Sequence, residues 1–436
     1  MNLLDQVKEL DEKYCFMNHL PQSLEEPGEG RLKGYLVSVK DNICVQGMPA
    51  TAGSRILEGY TPPFDATAVE RCRAEGAVIL GKTTMDEFGF GTFNVNTPFK
   101  VPRNPLDPER TTGGSSGGAA CMTALADFPH LALAESTGGS ISCPAAWCGV
   151  VGITPTYGRV SRWGLIDYAN SLDKIGTMAK TVDEAALLLE VISGGDQREP
   201  TCHRGPPPNL VEATLREPLR VGVPREYMGE GVDPRVREAV WKAIRGLEAR
   251  GAEVEEVSLP HTGVSLSSYY IIAMAEASTN LAKFCGLRYG LQMEPHGDFN
   301  EYFTRIRTLG FGEEAKRRIL LGTFTRMAGY REAYYVKACQ ARTLVIRDFK
   351  EAFRRVDVLV APTMPVVAPR FEEIERLEPL QHYMMDILTV APNLAGIPMA
   401  SVPYGEVEGM PVGVHLMADH FQEEKLVAAA REVEAL

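Results

Sequence analysis

The chain has 436 residues, of which 44% are hydrophobic and 23% charged, and its formal net charge is −12. This composition is typical of a globular protein with a large core, and the acidic balance argues against a broad nucleic-acid-binding face. The nine cysteines are scattered without a CxxC pair, which favours free thiols over a disulfide framework or a zinc site. No signal core opens the chain, and no apolar run reaches the length of about 20 residues that spans a membrane. These features predict a cytoplasmic protein without a metal and without a membrane segment.

Apolar patterning predicts helices and strands that alternate along the chain. In order, the predicted elements are a helix at 2–14, a strand at 35–39, a helix at 66–75, strands at 77–80 and 149–153, a helix at 182–192, a strand at 219–223, a helix from 234 to 250, a strand at 254–259, helices within 264–352, strands at 356–360, 399–404 and 412–417, and a helix at 423–436. The β-α-β order predicts an α/β fold with a large mixed, mostly parallel sheet covered by helices on both faces.

The domain organisation follows from the same pattern. No repeat, charge block or Pro/Ser-rich linker divides the chain, so we predict a single domain over 1–436. A short helix and loop at 1–30 precede it, and a helical insertion lies at 265–350.

Two glycine-serine clusters stand in the middle of the chain. They occupy residues 113–118 and 138–140, and an apolar, alanine-rich segment at 119–134 separates them. Glycine permits close backbone approaches, so clusters that bracket serine hydroxyls indicate main-chain amides wrapped around a small reacting group. A flexible linker would need a long polar run, which the intervening segment is not.

A formal phosphate-loop motif occurs at residues 76–83, where the segment from Gly76 to Thr83 matches GxxxxGK[ST]. The four residues between its glycines are apolar and strand-forming, whereas a phosphate cradle needs a flexible loop after the strand. The context therefore favours a buried strand at 77–80 that Lys82 and Thr83 merely follow, with nucleotide binding as the competing interpretation.

A serine attacks a carbonyl only when a base removes its proton and donors stabilise the oxyanion. None of the eight histidines lies in a compact pattern with the clustered serines. The pattern GxSxG occurs at Ser115 and Ser116, but a nucleophile elbow needs a strand that leads into the serine, and Pro105 and Pro108 make a poor strand. Lys40 follows a buried strand, although a lysine there is ordinarily a solvated surface residue.

The motifs GGSSGG at 113–118, TGGS at 137–140 and KDN at 40–42 resemble those of the amidase signature family. The resemblance implies the amidase-signature fold and a Ser-Ser-Lys triad with Ser140 as nucleophile, Ser115 as the bridging serine after a cis peptide bond, and Lys40 as base. It also implies an oxyanion hole formed by the amides of Thr137, Gly138, Gly139 and Ser140. Burial would favour the neutral, basic form of Lys40, which agrees with that role.

Further segments narrow the resemblance to the A subunits of tRNA-dependent amidotransferases. These segments are 144–152, 155–165, 170–176, 276–282, 288–290, 317–323 and 393–398. The implied function is hydrolysis of glutamine to supply ammonia for converting Glu-tRNA(Gln) or Asp-tRNA(Asn) to the amidated form. The implied partners are a B subunit, which handles the charged tRNA with ATP and magnesium, and a small C subunit; no cofactor is expected in this chain.

Glutamine binding requires a cation for the α-carboxylate and an acid for the α-ammonium group. By position in the matching motifs, Tyr289, Arg342 and Asp386 are the predicted binding residues. The sequence departs from the family pattern before the second cluster, where Glu135-Ser136 replaces the usual Thr/Ser-Asp pair. Two alternatives stay open, a free-standing amidase acting on another carboxamide and a nucleotide-binding ATPase through residues 76–83.

Overall fold

In the computed structural model, which describes residues 2–215 and 218–436, eleven strands of the described chain form one sheet. The strands are β1 (Met17–His19), β2 (Leu36–Lys40), β3 (Val78–Thr83), β4 (His130–Ser136), β5 (Val151–Thr154), β6 (Lys174–Ala179), β7 (Arg220–Pro224), β8 (Glu253–Val257), β9 (Val358–Pro362), β10 (Met399–Val407) and β11 (Met410–Ala418). Their order across the sheet is β1-β3-β2-β4-β6-β5-β10-β11-β9-β7-β8.

Helices pack against this sheet and extend beyond it. They are α1 (Leu3–Tyr14), α2 (Thr67–Ala74), α3 (Gly117–Leu125), α4 (Ser142–Cys148), α5 (Val182–Ile192), α6 (Pro234–Ala249), α7 (Thr262–Asn280), α8 (Phe299–Gly310), α9 (Glu313–Arg326), α10 (Lys337–Ala352), α11 (Phe371–Ile374), α12 (Pro379–Met384), α13 (Val390–Ala395) and α14 (Glu423–Glu434). Every residue of β4, β6 and β9 is buried, so these central strands are covered on both faces.

The predicted α/β fold with a large mixed sheet is confirmed, but the expectation of a mostly parallel sheet is wrong. Of the ten strand pairings among the described residues, β2 with β3, β2 with β4, β7 with β8 and β7 with β9 are parallel, and the other six are antiparallel. The difference arises at the centre, where β4, β6, β5, β10, β11 and β9 are joined without parallel crossovers.

The predicted helical insertion corresponds to α7–α10, which lie between β8 and β9 in the chain. Helix α7 packs against α9, α10 and α13, so these helices are built on one another rather than only on the sheet. The single-domain organisation over 1–436 stays a prediction.

Most of the segment that matches the phosphate-loop motif forms strand β3. Gly81, Lys82 and Thr83 lie within the strand rather than in a loop after it, and all three are buried. The Nζ of Lys82 lies 3.2 Å from the carbonyl oxygen of Asp41 and 3.6 Å from its carboxylate. Lys82 is therefore engaged in the core and does not extend toward a phosphate site.

Three parallel strands at one side of the sheet position the candidate site. β3 and β4 flank β2, and the carboxyl ends of all three strands open onto the same edge. Lys40 is the last residue of β2, the segment 84–94 follows β3, and the second glycine-serine cluster follows β4. Chemistry-bearing residues far apart in the chain are thereby brought to one edge.

No helix in the described parts of the chain is long and apolar enough to cross a membrane.

A buried ion pair ties the C-terminal helix to the loop after β5. Arg159 Nη2 lies 2.9 Å from Glu423 Oε2, and Thr156 N donates to Glu423 Oε1 at 3.0 Å. Both charged side chains are buried. Arg159→Ala should lower the free energy of unfolding by about 3–5 kcal/mol, because the Glu423 carboxylate would be left buried without its cation. Urea unfolding monitored by circular dichroism would measure the loss.

The matched control for this prediction is Arg354→Ala, which removes an exposed pair with Glu351. That substitution should change stability by less than about 1 kcal/mol, because solvent screens exposed pairs. Equal losses in the two variants would contradict the assignment of the Arg159 pair as structurally important.

Candidate active site

Lys40 lies fully buried at the end of β2, at the centre of a set of hydrogen bonds. Its Nζ contacts Ser115 Oγ at 2.7 Å, the carbonyl oxygen of Glu135 at 2.9 Å and Glu135 Oε2 at 2.9 Å. Burial lowers the pKa of Lys40, and the nearby Glu135 carboxylate opposes that shift. The lysine predicted as base therefore contacts the predicted bridging serine directly, and it is not a surface residue.

Ser115 is held in a loop rather than on a nucleophile elbow. The peptide bond between Gly114 and Ser115 is cis, as the family resemblance implies. No strand leads into Ser115, and α3 begins two residues later at Gly117. The neighbouring Ser116 points elsewhere, since its hydroxyl donates to the carbonyl oxygen of Glu135 at 3.0 Å.

Ser140 lies in the short connection between β4 and α4 and is 7% exposed. The tight fit of this connection explains its glycines. A Cβ at Gly138 would collide with the ring of Tyr269, and a Cβ at Gly139, where φ is +155°, would collide with Thr389. The connection is therefore clamped between α7 and the residue before α13, with the serine facing a pocket.

The main-chain N–H groups of Gly138, Gly139 and Ser140 donate to no acceptor among residues 2–215 and 218–436. Buried amides usually have partners, so three consecutive free donors beside a pocket are unusual. They suit a developing oxyanion, which is the role that the resemblance implies for residues 137–140.

The pocket beside Ser140 is small and carries both signs of charge. Its lining residues are Gly89, Gly91, Gly138, Gly139, Ser140, Tyr269, Tyr270, Arg318 and Asp386. A larger cavity of about 590 Å³ shares Gly91 and Arg318 with it as lining residues. None of the eight histidines is among the residues that line the Ser140 pocket.

Asp386, one of the predicted binding residues, reaches this pocket. Tyr270 Oη donates to its Oδ2 at 2.6 Å and Thr92 Oγ1 to its Oδ1 at 2.9 Å. Burial raises the pKa of Asp386 to about 6, and these two hydrogen bonds oppose the shift. The carboxyl group is thus ionised at neutral pH beside the candidate nucleophile.

Arg318 supplies the cation of the pocket, a role that the sequence did not predict for it. Its Nε donates to Glu314 Oε1 at 2.8 Å and its Nη1 to Tyr168 Oη at 2.7 Å, whereas its Nη2 donates to no described residue. The rings of Phe90, Tyr168, Tyr270 and Tyr383 surround the guanidinium group. The only sequence signal for Arg318 is its place in the matching segment 317–323.

The other two predicted binding residues do not line the Ser140 pocket. The guanidinium group of Arg342 donates to the carbonyl oxygen of Leu394 at 2.8 Å and to Ser171 Oγ and O at 3.0 Å. Tyr289 borders a separate pocket formed with Tyr60, Phe284 and other residues. Arg342 therefore orders a loop and a helix end in this structure, and Tyr289 packs among aromatic rings.

Glu135 is the second residue of the site to which the sequence assigned no role. It is 1% exposed, and its Oε2 accepts hydrogen bonds from Lys40 and, at 3.2 Å, from Asn42 Nδ2. The departure from the family pattern at 135 was visible in the sequence, but its proximity to Lys40 was not. Ser136, which occupies the usual aspartate position, contacts Asn393 Oδ1 at 3.5 Å.

The family described as Amidase matches residues 17–427. The chain belongs to the amidase signature family. The A subunit of glutamyl-tRNA(Gln) amidotransferase from Natronomonas pharaonis is 50% identical over 413 residues, which cover 94% of this chain and 97% of that protein. The protein of the same name from Methanosarcina mazei is 48% identical over 409 residues, which cover 93% of this chain and 85% of that protein.

Structural similarity extends over the same range. The crystal structure of the A subunit of glutamyl-tRNA(Gln) amidotransferase from Thermotoga maritima superposes with a TM-score of 0.84 at 38% identity, covering 99% of this chain and 89% of that chain. The family membership and the amidase-signature fold expected from the sequence are therefore confirmed.

The contact between Lys40 and Ser115 leads to a prediction about additivity. Lys40→Ala and Ser115→Ala should each lower amide hydrolysis by about 10³-fold or more, because both residues are expected to act in one proton relay with Ser140. Combining either change with Ser140→Ala should cause little further loss. Initial rates of ammonia release from single and double variants would measure this, and losses that multiply in the double variants would contradict a shared relay.

Proposed function

We propose that this chain is the glutaminase subunit of a tRNA-dependent amidotransferase, hydrolysing glutamine to provide ammonia for converting Glu-tRNA(Gln), Asp-tRNA(Asn) or both to the amidated tRNA. The observation that carries the proposal is the pocket, in which Ser140 lies with an anionic and a cationic group, Asp386 and Arg318. The names of the relatives that match nearly the whole chain support the same function.

The pocket matches the two charges of an α-amino acid. In the proposed complex, Asp386 binds the α-ammonium group and Arg318 Nη2 binds the α-carboxylate, because charge-assisted hydrogen bonds in a buried pocket are strong and directional. The side-chain amide then faces Ser140. Asp386 and Arg318 are held by Tyr270, Thr92, Glu314 and Tyr168, so little reorganisation is needed on binding.

The proposed reaction uses the two serines and the lysine in sequence, and the contact between Lys40 and Ser115 supports it. Ser140 Oγ attacks the amide carbon while its proton passes to Ser115 and the proton of Ser115 passes to neutral Lys40. The free N–H groups after β4 stabilise the oxyanion. Lys40 returns the proton through Ser115 to the departing ammonia, which leaves a glutamyl ester on Ser140. Water then attacks the ester by the same relay and releases glutamate.

The remaining parts of the amidotransferase reaction are assigned to partners. We propose that this chain binds no cofactor, and that a B subunit with ATP and magnesium activates the charged tRNA while a C subunit joins the two in a heterotrimer. The acidic net charge of −12 is consistent with tRNA binding mainly by the partner. Nine unpaired cysteines support a cytoplasmic location.

A free-standing amidase that acts on a larger carboxamide is the second candidate, favoured by the cavity of about 590 Å³ outside the Ser140 pocket. Two measurements separate the candidates, namely the preference for glutamine over uncharged primary amides and the binding of a B subunit. Nucleotide binding through residues 76–83 loses its support because Lys82 is buried against Asp41.

Ser140→Ala should abolish glutamine hydrolysis and the formation of a glutamyl-enzyme, because no nucleophile would remain in the pocket. The change removes only one buried hydroxyl, so the thermal unfolding midpoint should stay near that of the wild type. Ammonia release and mass spectrometry of acid-quenched enzyme would measure both quantities. Turnover near the wild-type level would exclude Ser140 as nucleophile.

Asp386→Asn should raise KM for glutamine by about tenfold to a hundredfold, because one charge-assisted hydrogen bond to the α-ammonium group is lost. KM for a primary amide without that ammonium group should not change. Since the pKa of Asp386 is raised to about 6, KM of the wild type should rise as pH falls through 6, where the carboxylate is protonated. The variant should lack this dependence.

Arg342→Gln is the control for substrate recognition, since its guanidinium group is occupied by Leu394 and Ser171. It should affect glutamine and an amide without the α-carboxylate equally. A selective loss for glutamine would return the carboxylate-binding role to Arg342, as expected from the sequence.

A further inference from the structure

A second buried network of hydrogen bonds extends from Lys40 through Glu135. Glu135 Oε2 accepts from Lys40 Nζ at 2.9 Å, and Glu135 Oε1 lies 2.8 Å from Thr137 Oγ1. The same hydroxyl lies 2.8 Å from Asp173 Oδ1. Glu135, Thr137 and Asp173 are each 1% exposed, so water does not screen these contacts.

The Thr137 hydroxyl determines how many protons this network holds. A hydroxyl carries one hydrogen, so it can donate to only one of two carboxyl groups. At the other 2.8 Å contact the carboxyl group must be the donor, and it must therefore be protonated. Glu135 and Asp173 together consequently carry one negative charge rather than two.

The other contacts place the charge on Glu135 and the proton on Asp173. Glu135 Oε2 faces two donors, Lys40 Nζ and Asn42 Nδ2, which favour an ionised carboxylate. Asp173 Oδ2 accepts from the amides of Tyr168 and Ala169, which leaves Oδ1 to carry the hydrogen toward Thr137. Burial, with the Glu135 charge as a second cause, holds the pKa of Asp173 well above its usual range.

The geometry at Lys40 Nζ specifies the direction of its lone pair. A neutral amine has two N–H donors and one lone pair. Glu135 occupies two of the three contacts, its carbonyl oxygen and its Oε2 both acting only as acceptors. The two N–H groups therefore face Glu135, and the lone pair faces the Ser115 hydroxyl.

We propose that Glu135 is a positioning residue for the base of the reaction, its ionised carboxylate directing the lone pair of Lys40 toward Ser115 and stabilising the ammonium group that forms there, with Asp173 as its protonated partner through Thr137. The inference rests on the proposed function of Lys40, Ser115 and Ser140. When Ser140 Oγ bonds to the substrate carbon, one proton moves to Ser115 and one from Ser115 to Lys40, while Glu135 keeps its charge. When the leaving group departs, Ser115 gives a proton to the departing nitrogen and regains one from Lys40, which becomes neutral again.

Glu135 affects the pH at which activity rises, because it affects the pKa of Lys40. Its negative charge stabilises the ammonium form and so raises the pKa of Lys40, while burial lowers that pKa. Activity that requires neutral Lys40 rises with pH through this pKa. The other titratable groups around the pair are Asp86, Asp173, Lys174 and Tyr168. Among them and Glu135, only Glu135 forms a hydrogen bond with Lys40.

The test compares Glu135→Gln with Asp173→Asn, two substitutions that each replace a carboxyl group with an amide. The first keeps the shape of the side chain but removes its charge, so the rising limb of kcat/KM for glutamine should move to lower pH by about one to three units. The plateau should fall about tenfold or more, because a weaker base remains. The amide introduced by Asp173→Asn imitates a protonated carboxyl group, since it can donate to Thr137, so this variant should keep the rising limb at its wild-type pH.

Glu135→Asp is the conservative variant. It keeps the negative charge beside Lys40, so the rising limb of kcat/KM should lie closer to its wild-type pH than in Glu135→Gln, even if the plateau rate stays low. Thermal unfolding of each variant verifies that the fold persists. If Glu135→Gln lowers the rate without moving the limb, Glu135 is merely structural and the inference is overturned. It is also overturned if Asp173→Asn moves the limb as Glu135→Gln does.

A second readout separates this inference from the proposed function. The rate at which a fluorophosphonate labels Ser140 depends on the relay but not on glutamine, and peptide mass spectrometry with Ser140→Ala as control locates the label. The limb of this labelling rate should shift in Glu135→Gln as it does for kcat/KM. Wild-type labelling at Ser140 without any glutaminase activity would refute the proposed substrate while the shift still supports the role of Glu135. Absence of wild-type labelling would overturn both.

Discussion

A lysine side chain removed from water is the constraint on which this site depends. Transferring an ammonium group into a protein interior is costly, so a buried lysine is stable only when neutral or compensated. Lys40 can be stable either as a neutral amine or as a compensated ammonium group. Its contacts are two acceptors from Glu135 and one hydroxyl that can either donate or accept. The protonation state can therefore change during a reaction without leaving an unpaired buried group. This property makes the site suitable for repeated proton transfer without histidine.

The edge of the sheet and the loops that follow it place other polar groups around the buried lysine. The ends of β2 and β4 lie side by side, which brings Lys40 next to Glu135, and the connection after β4 continues directly to Ser140. Gly138 and Gly139 allow this connection to pass between Tyr269 and Thr389, where a side chain would not fit. The same packing leaves consecutive N–H groups free beside the pocket. The close packing of this connection therefore also accounts for the arrangement of the free N–H groups beside Ser140.

The substrate side of the pocket comes from different elements. Tyr269 and Tyr270 belong to α7 and Arg318 to α9, both in the helical region between β8 and β9, and Asp386 precedes α13. The sheet edge therefore provides the candidate reacting groups, and α9 and the segment before α13 provide the two charges of the proposed α-amino-acid pocket. A change in these elements would alter the proposed substrate side without altering the proposed relay, which is consistent with one fold serving several amide substrates.

Local sequence predicted most of the helices and strands and the candidate serines and lysine, but not the side chains that contact them. The strand before Lys40, the helix at 182–192 and the two glycine-serine clusters were readable because periodicity and glycine content are local properties. The antiparallel pairing of β5 with β6 and β10, the placement of Arg318 rather than Arg342 at the pocket, and the contact between Glu135 and Lys40 were not readable. Each of these depends on residues far apart in the chain, and only the tertiary structure decides which distant side chains share a buried space.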